Sequence, residues 1–157
     1  AMVQLLKARG VYVTAVGPGA HAQTVKALGA DRTINYLTTD FTQDGERYDF
    51  VFDTVGKSTF GLCRPLLTPH GCYISSELGP NAQNPLLALT TPWLGGQYVK
   101  FPVPVNIKAS LAGVCELAEA GQYRPLIDRR YPLEQVREAY TYVDSGRKVG
   151  NVLLVMI

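Results

Sequence analysis

The chain has 157 residues, 46% of them apolar and 18% charged, and a net charge of +2. In size and composition this is one ordinary globular domain, which excludes a disordered or fibrous chain. Positive and negative residues are interspersed, so no basic stripe points to nucleic acid, and no apolar run reaches the roughly 20 residues that span a membrane.

Residues 2 to 9, "MVQLLKAR", read as the last turns of a helix stopped by Gly10. "VYVTAV" is β-branched and mostly apolar, the pattern of a strand covered on both faces. After the Gly-Pro-Gly turn, Ala20 to Leu28 offers Ala22, Val25, Ala27 and Leu28 as one helical face. "RTINY" is a second strand, one short helical turn fits Asp40 to Gln43, and "YDFVFDTVG" is a stronger third strand ending at Gly56. A helix from Ser58 to Leu67 follows, "PHG" turns the chain, and "CYISS" is the fourth strand. "NPLLALTTPWLGG" is helical with a break near Pro92, and "QYVKFPVP" is a strand whose two prolines suit an edge or an exit. The last third holds a helix over Ile107 to Ala120, an extended "RPLIDRRYP", a helix opening at Pro132 with Glu134 in its first turn, and a terminal strand "GNVLLVMI".

Strands alternating with helices at short spacing imply an α/β fold with a parallel sheet and right-handed crossovers, the doubly wound class. Cys63, Cys72 and Cys115 are too unevenly spaced for a zinc knuckle or a disulfide framework. They read as buried thiols in a reducing compartment. With no basic-then-apolar start, the expected location is cytoplasmic. His21 and His70 are too few for a His-rich metal site, so no metal is expected.

Gly17, Gly19 and Ala22 have the spacing G-x-G-x-x-A, which between a strand and a helix marks a dinucleotide-binding first turn. Such a turn is followed roughly 20 residues later by an acidic group at a strand end; here that region is "RTINYLTT", with Tyr36 at the strand end. Pro18 also removes one N–H that a phosphate cradle would use. Two readings stand: a pyrophosphate cradle and a plain structural turn.

"ALGADRTINY", "YDFVFDTVG" and "GQYRPLIDRRYPLEQVREAYTYVDSGRKVGNVLL", in that order, resemble the zinc-independent, quinone oxidoreductase-like branch of the medium-chain dehydrogenase/reductase superfamily. The resemblance covers essentially the whole chain and implies the C-terminal half of such an enzyme. Residues 1–122 would form a truncated Rossmann cofactor-binding domain, an incomplete doubly wound parallel sheet. Residues 123–157 would be a C-terminal extension returning to the catalytic domain. The first Rossmann strand and the glycine-rich turn would lie before residue 1, which puts "GPGAHA" after the second strand, at the adenosine ribose.

The remaining site expectations follow from that register. The second strand ends in Val16 and Gly17 with no carboxylate to repel a 2'-phosphate, which favours NADP(H) over NAD(H). Related NADPH-dependent members place a lysine four residues after this glycine and a tyrosine at the end of the third strand. Tyr36 matches the tyrosine, while the lysine's place is His21, which can donate to phosphate but is a weaker clamp than lysine. The turn Asp53, Thr54, Val55 and Gly56 would lie along the cofactor, and Ser75 and Ser76 could donate to ribose or phosphate. Phe101 corresponds to a stretch passing the nicotinamide, and Asn151 stands where the family often has lysine. Each has a structural alternative, as a turn, a strand end or a packed aromatic.

No nucleophile, paired carboxylate or metal cluster is visible, so no catalytic residue is assigned, in keeping with chemistry carried by a cofactor. Two functions follow: the cofactor-binding portion of an oxidoreductase acting on a quinone, activated alkene or carbonyl, weak or inactive as this fragment, or a non-catalytic Rossmann-like binding or dimerisation module. Missing the central strand, the sheet should rearrange or self-associate into a homo-oligomer through edge strands. The terminal strand should seek a partner between chains or at the vacant edge.

Overall fold

The computed structural model describes residues 1–156; Ile157, the end of the expected terminal strand, lies outside the described residues. In chain order the elements are α1 (Met2–Lys7), β1 (Thr14–Gly17), α2 (Ala22–Ala27), β2 (Arg32–Asn35), β3 (Tyr48–Asp53), α3 (Phe60–Cys63), β4 (Leu67–Ser75), α4 (Gln83–Thr90), β5 (Tyr98–Lys100), α5 (Ile107–Glu119), β6 (Ile127–Pro132), α6 (Val136–Asp144) and β7 (Asn151–Val155). Short 3-10 turns open α2 and α6 and extend α3 and α4. The expected turn near Asp40 is present as Phe41–Gln43, where the Asp40 carboxylate accepts the Thr42 N–H at 2.9 Å. The chain divides into two compact units.

One unit comprises Ala15–Gln23 and Thr33–Lys108. It carries a three-stranded sheet in the order β3-β4-β5, both ladders parallel, and most of a two-stranded sheet of β1 and β2. The Val13 carbonyl accepts from the Asp31 and Arg32 N–H groups and the Gly17 carbonyl from that of Tyr36, so the partners of β1 and β2 ascend together and the pair is parallel. No ladder joins β1 to β3 among the described strands, and each keeps one unpaired edge. The core is Phe60, Cys63, Leu67, Tyr73 and Val99, with Phe41, Val51, Leu87 and Ala88 packed against it. Alternation along β4 and β5 turns Tyr73 and Val99 inward onto α3 and α4, which the apolar sequence of these strands favours.

The other unit comprises Ala1–Thr14, Thr24–Arg32 and the chain from Ala109 onward. β6 and β7 pair in parallel, from Ile127 opposite Asn151 to Pro132 opposite Val155. Gly150 enters this ladder at φ +112, and a Cβ there would lie 2.5 Å from the Leu126 carbonyl oxygen. The N-terminal helix is tied in by one amide: Gln4 Nε2 donates to the Arg124 carbonyl at 2.8 Å, and its Oε1 accepts the Arg124 N–H at 2.7 Å. Gln4→Ala should lower the urea-unfolding free energy by about 1–2 kcal/mol, because both backbone groups of Arg124 lose their partner; an unchanged midpoint would show that water replaces the amide without cost. Lys7 forms an ion pair with Asp31 at 2.9 Å. The hydrogen bond from Lys7, joined by one from the Val13 N–H, holds the Asp31 carboxyl below its usual range.

Several expectations are corrected. The first strand begins at Thr14 rather than Val11, and Val16 is exposed, so it is not covered on both faces. "PHG" is not a turn between elements. β3 advances from Tyr48 to Phe50 while β4 advances from Leu67 to Cys72, so Pro69, His70 and Gly71 form a bulge inside one strand. Pro132 closes β6 instead of opening the helix, because its extended backbone caps the 3-10 turn before α6. Phe101 lies one residue beyond β5. Cys63 and Cys72 are buried as expected, but Cys115 is exposed on α5. β7 fills no vacant edge, since β6 of the same chain is its partner.

Candidate functional site

In the sheet-bearing unit, Gly17, Asn35, Asp53, Ser75 and Lys100 end parallel strands, the edge where open α/β sheets bind ligands. Two corners form there.

The first corner joins the turns after β1 and β2. The Tyr36 N–H donates to the Gly17 carbonyl at 3.3 Å. The Asn35 side-chain oxygen accepts the Gly19 N–H at 3.0 Å and the Leu37 N–H at 3.1 Å. Asn35 thus ties the Gly-Pro-Gly turn to the turn beyond β2. The sequence reading missed it; its signal was an Asn at a strand end, a residue that hydrogen-bonds backbone two positions on. Gly17, His21 and Tyr36 are brought together here. His21 is half-buried in the 3-10 turn Gly19–His21, Tyr36 is 51% exposed, and no described residue engages either polar side-chain group.

The second corner joins the ends of β3 and β4, where Asp53 is the register partner of Ser75. Asp53 Oδ1 accepts the N–H groups of Val55, Gly56 and Lys57 at 3.2, 2.7 and 3.3 Å. Oδ2 accepts the Ser58 N–H at 3.1 Å and the Tyr73 hydroxyl at 3.0 Å. Burial pushes this carboxyl upward, but the bonds from Ser58, Tyr73, Val55 and Gly56 outweigh it, and the pKa falls below the usual carboxylate range. For Tyr73, burial and the adjoining Asp53 both raise the phenol. The Asp53 oxygens are committed to shaping this turn, so what the turn offers outward is Val55, 67% exposed.

Gly56 has φ +69, and a Cβ there would lie 2.7 Å from Cγ of Glu77. The close approach it permits is therefore by Glu77. Ser75 is a correction: expected to donate to a ligand, it is 1% exposed, and its hydroxyl accepts the Glu77 N–H at 3.2 Å. Phe101 is half-buried just past β5. Asn151 belongs to the other unit, where its N–H and its side-chain amide both donate to the Leu126 carbonyl, at 2.8 and 3.1 Å. Its amide is thus occupied within that unit. Among the described residues, no three His, Cys, Asp or Glu side chains converge to hold a metal ion, and no helix is long and apolar enough to cross a membrane.

Comparison with known proteins adds an independent line. A family described as "Zinc-binding dehydrogenase" matches residues 28–154. The "Chloroplast envelope quinone oxidoreductase homolog" of Arabidopsis thaliana is 27% identical over 97% of this chain and 47% of its own length. The mitochondrial "NAD(P)H oxidoreductase RTN4IP1" of Mus musculus is 27% identical over 99% of the chain and 44% of its own. Among solved structures, the quinone oxidoreductase from Coxiella burnetii superposes with a TM-score of 0.74 at 24% identity, over 98% of this chain and 48% of that one. The chain spans about half the length of these relatives.

Proposed function

The chain belongs to the zinc-binding dehydrogenase family, and from that premise we propose that it is the nicotinamide-cofactor-binding portion of an NADP(H)-dependent oxidoreductase of the zinc-independent branch. In the whole protein the electron acceptor is a quinone, an activated alkene or a carbonyl, a reading supported by relatives named as quinone and NAD(P)H oxidoreductases. Residues 1–122 serve the cofactor, residues 123–157 belong with the catalytic domain, and the chain alone turns over weakly or not at all. Free Cys63, Cys72 and Cys115 support a reducing cytoplasm as its compartment.

The observation that carries this reading is the corner of Gly17, His21 and Tyr36. A parallel strand ends there without a carboxylate, and an imidazole and a phenol stand uncommitted beside it. Both can donate to a phosphate oxygen, and the absence of an acid at the strand end removes the repulsion that disfavours a 2'-phosphate. When bound, the dinucleotide supplies the hydride chemistry. The chain's own residues hold it: Asn35 fixes the two turns, His21 and Tyr36 grip the ribose end, and the Asp53-shaped turn presents Val55.

Titration by cofactor fluorescence tests this. Saturable NADPH binding, tighter than NADH, is expected. His21→Lys should strengthen NADPH binding about tenfold while leaving NADH unchanged, since an ammonium replaces an imidazole beside the 2'-phosphate. No saturable binding at millimolar NADPH would favour the second reading, a non-catalytic module that dimerises through edge strands. The unpaired edges of β1 and β3 support that reading.

A further inference from the structure

A cleft in the unit containing β6, α6 and β7 has no part in the cofactor reading. Its volume is about 390 Å³, and Arg129, Arg137, Tyr142 and Arg147 line it together with Glu138 and Thr141. The Tyr142 ring forms its organising surface: the Arg129 guanidinium carbon lies 3.9 Å from the ring centroid and that of Arg147 lies 6.0 Å away. The ring is fixed from behind, because its hydroxyl donates to Asp128 Oδ2 at 2.7 Å, and that oxygen also accepts the Val149 N–H at 3.0 Å. Arg147 is steadied by a hydrogen bond from Nε to the Ser145 hydroxyl at 3.1 Å.

None of the three guanidiniums has a carboxylate within 4.0 Å among the described residues. Asp128 is committed to Tyr142 and Val149, and Glu138 is in ion-pair contact with none of them. Guanidinium is charged at every accessible pH and presents a planar fork of donors that matches oxyanions. Three such groups around one concavity, two of them at a single ring and none in a close ion pair, with Asp128 attracting Arg129 only at longer range, suit a multiply charged anion.

We propose that this cleft binds a phosphate-type oxyanion, either inorganic phosphate or a small phosphomonoester, held by Arg129, Arg137 and Arg147 over the Tyr142 ring. Calorimetric titration of the intact chain with inorganic phosphate and, separately, glycerol 3-phosphate, at constant ionic strength, tests it and distinguishes the two sources. Saturable binding of at least one is expected. Arg129→Gln and Arg137→Gln should each weaken it about tenfold. Arg130→Gln should leave it unchanged, since Arg130 is exposed on the same strand but lies outside the cleft. Circular dichroism confirms that each variant is folded, and Arg137, exposed on α6, gives a variant independent of the sheet. Non-saturable heats, affinity unaltered in Arg129→Gln and Arg137→Gln, or equal weakening in Arg130→Gln would each overturn the proposal.

Discussion

Replacing Asp53 with alanine is expected to lower the stability of the sheet-bearing unit by about 3 kcal/mol, read as a shifted urea midpoint. The carboxylate accepts from four backbone N–H groups and one buried phenol. Its loss leaves the Tyr73 hydroxyl without its acceptor next to Phe60, which packs against the Tyr73 ring. Hydrogen bonds to a charged group each contribute more than neutral ones, though removing several at once falls short of their sum. Asp53→Asn keeps the shape but exchanges one acceptor oxygen for a donor, so it should cost less and leave the Oδ1 side of the turn intact.

The same carboxylate sets an acid limit. Its folded pKa lies below that of the unfolded chain, about 3.9. The stability it contributes is therefore fully present above that value and is lost as pH falls through the folded pKa. The melting temperature should hold steady down to about pH 5 and fall below about pH 4. In Asp53→Asn that acid limb should be shallower. An equally steep limb would assign the acid sensitivity to Asp31, Asp40 and Asp128, whose carboxyls are also lowered by hydrogen bonds.

Gly150→Ala should destabilise the β6–β7 pair by about 2–4 kcal/mol. Two causes act together. The backbone at φ +112 is one that L side chains rarely adopt, and the added methyl would meet the Leu126 carbonyl oxygen at 2.5 Å and its carbonyl carbon at 3.1 Å. A flexible side chain could swing away; this neighbour is backbone, and the same oxygen accepts the Asn151 N–H at 2.8 Å that starts the β7 ladder. Relief of the clash therefore breaks that bond. Loss of amide-exchange protection confined to residues 127–132 and 151–155 would confirm the mechanism, and protection equal to that of the parent would refute it.

The strands were legible because β-branched runs and glycine turns report local structure directly, as at "YDFVFD" and "RTIN". What escaped depends on partners distant in sequence. "PHG" carries turn chemistry, yet β4 continues past it because Leu67 and Cys72 both find partners on β3. Ser75 looked like an exposed strand end, and only the packing of β4 between β3 and β5 buries it. The pairing of β6 with β7 could not be read, because a periodic pattern marks a strand without naming its neighbour. Asp53 was noticed for its place at the ligand edge. Its acceptance of four backbone N–H groups after the strand was implicit in an aspartate opening a glycine-containing turn.

α5 presents another kind of consequence. None of its thirteen residues is buried, and Ile107 and Leu111 are largely exposed. An isolated helix of about 12–15 residues is marginal in water. With Gly113, Val114 and Leu117 half-buried and the rest exposed, α5 draws more on its own ladder than on a core. Because it lies at the margin of the compact unit that resumes at Ala109, α5 should open before the rest of that unit on warming; limited proteolysis should cut first between Lys108 and Glu119, and first cuts elsewhere would refute this.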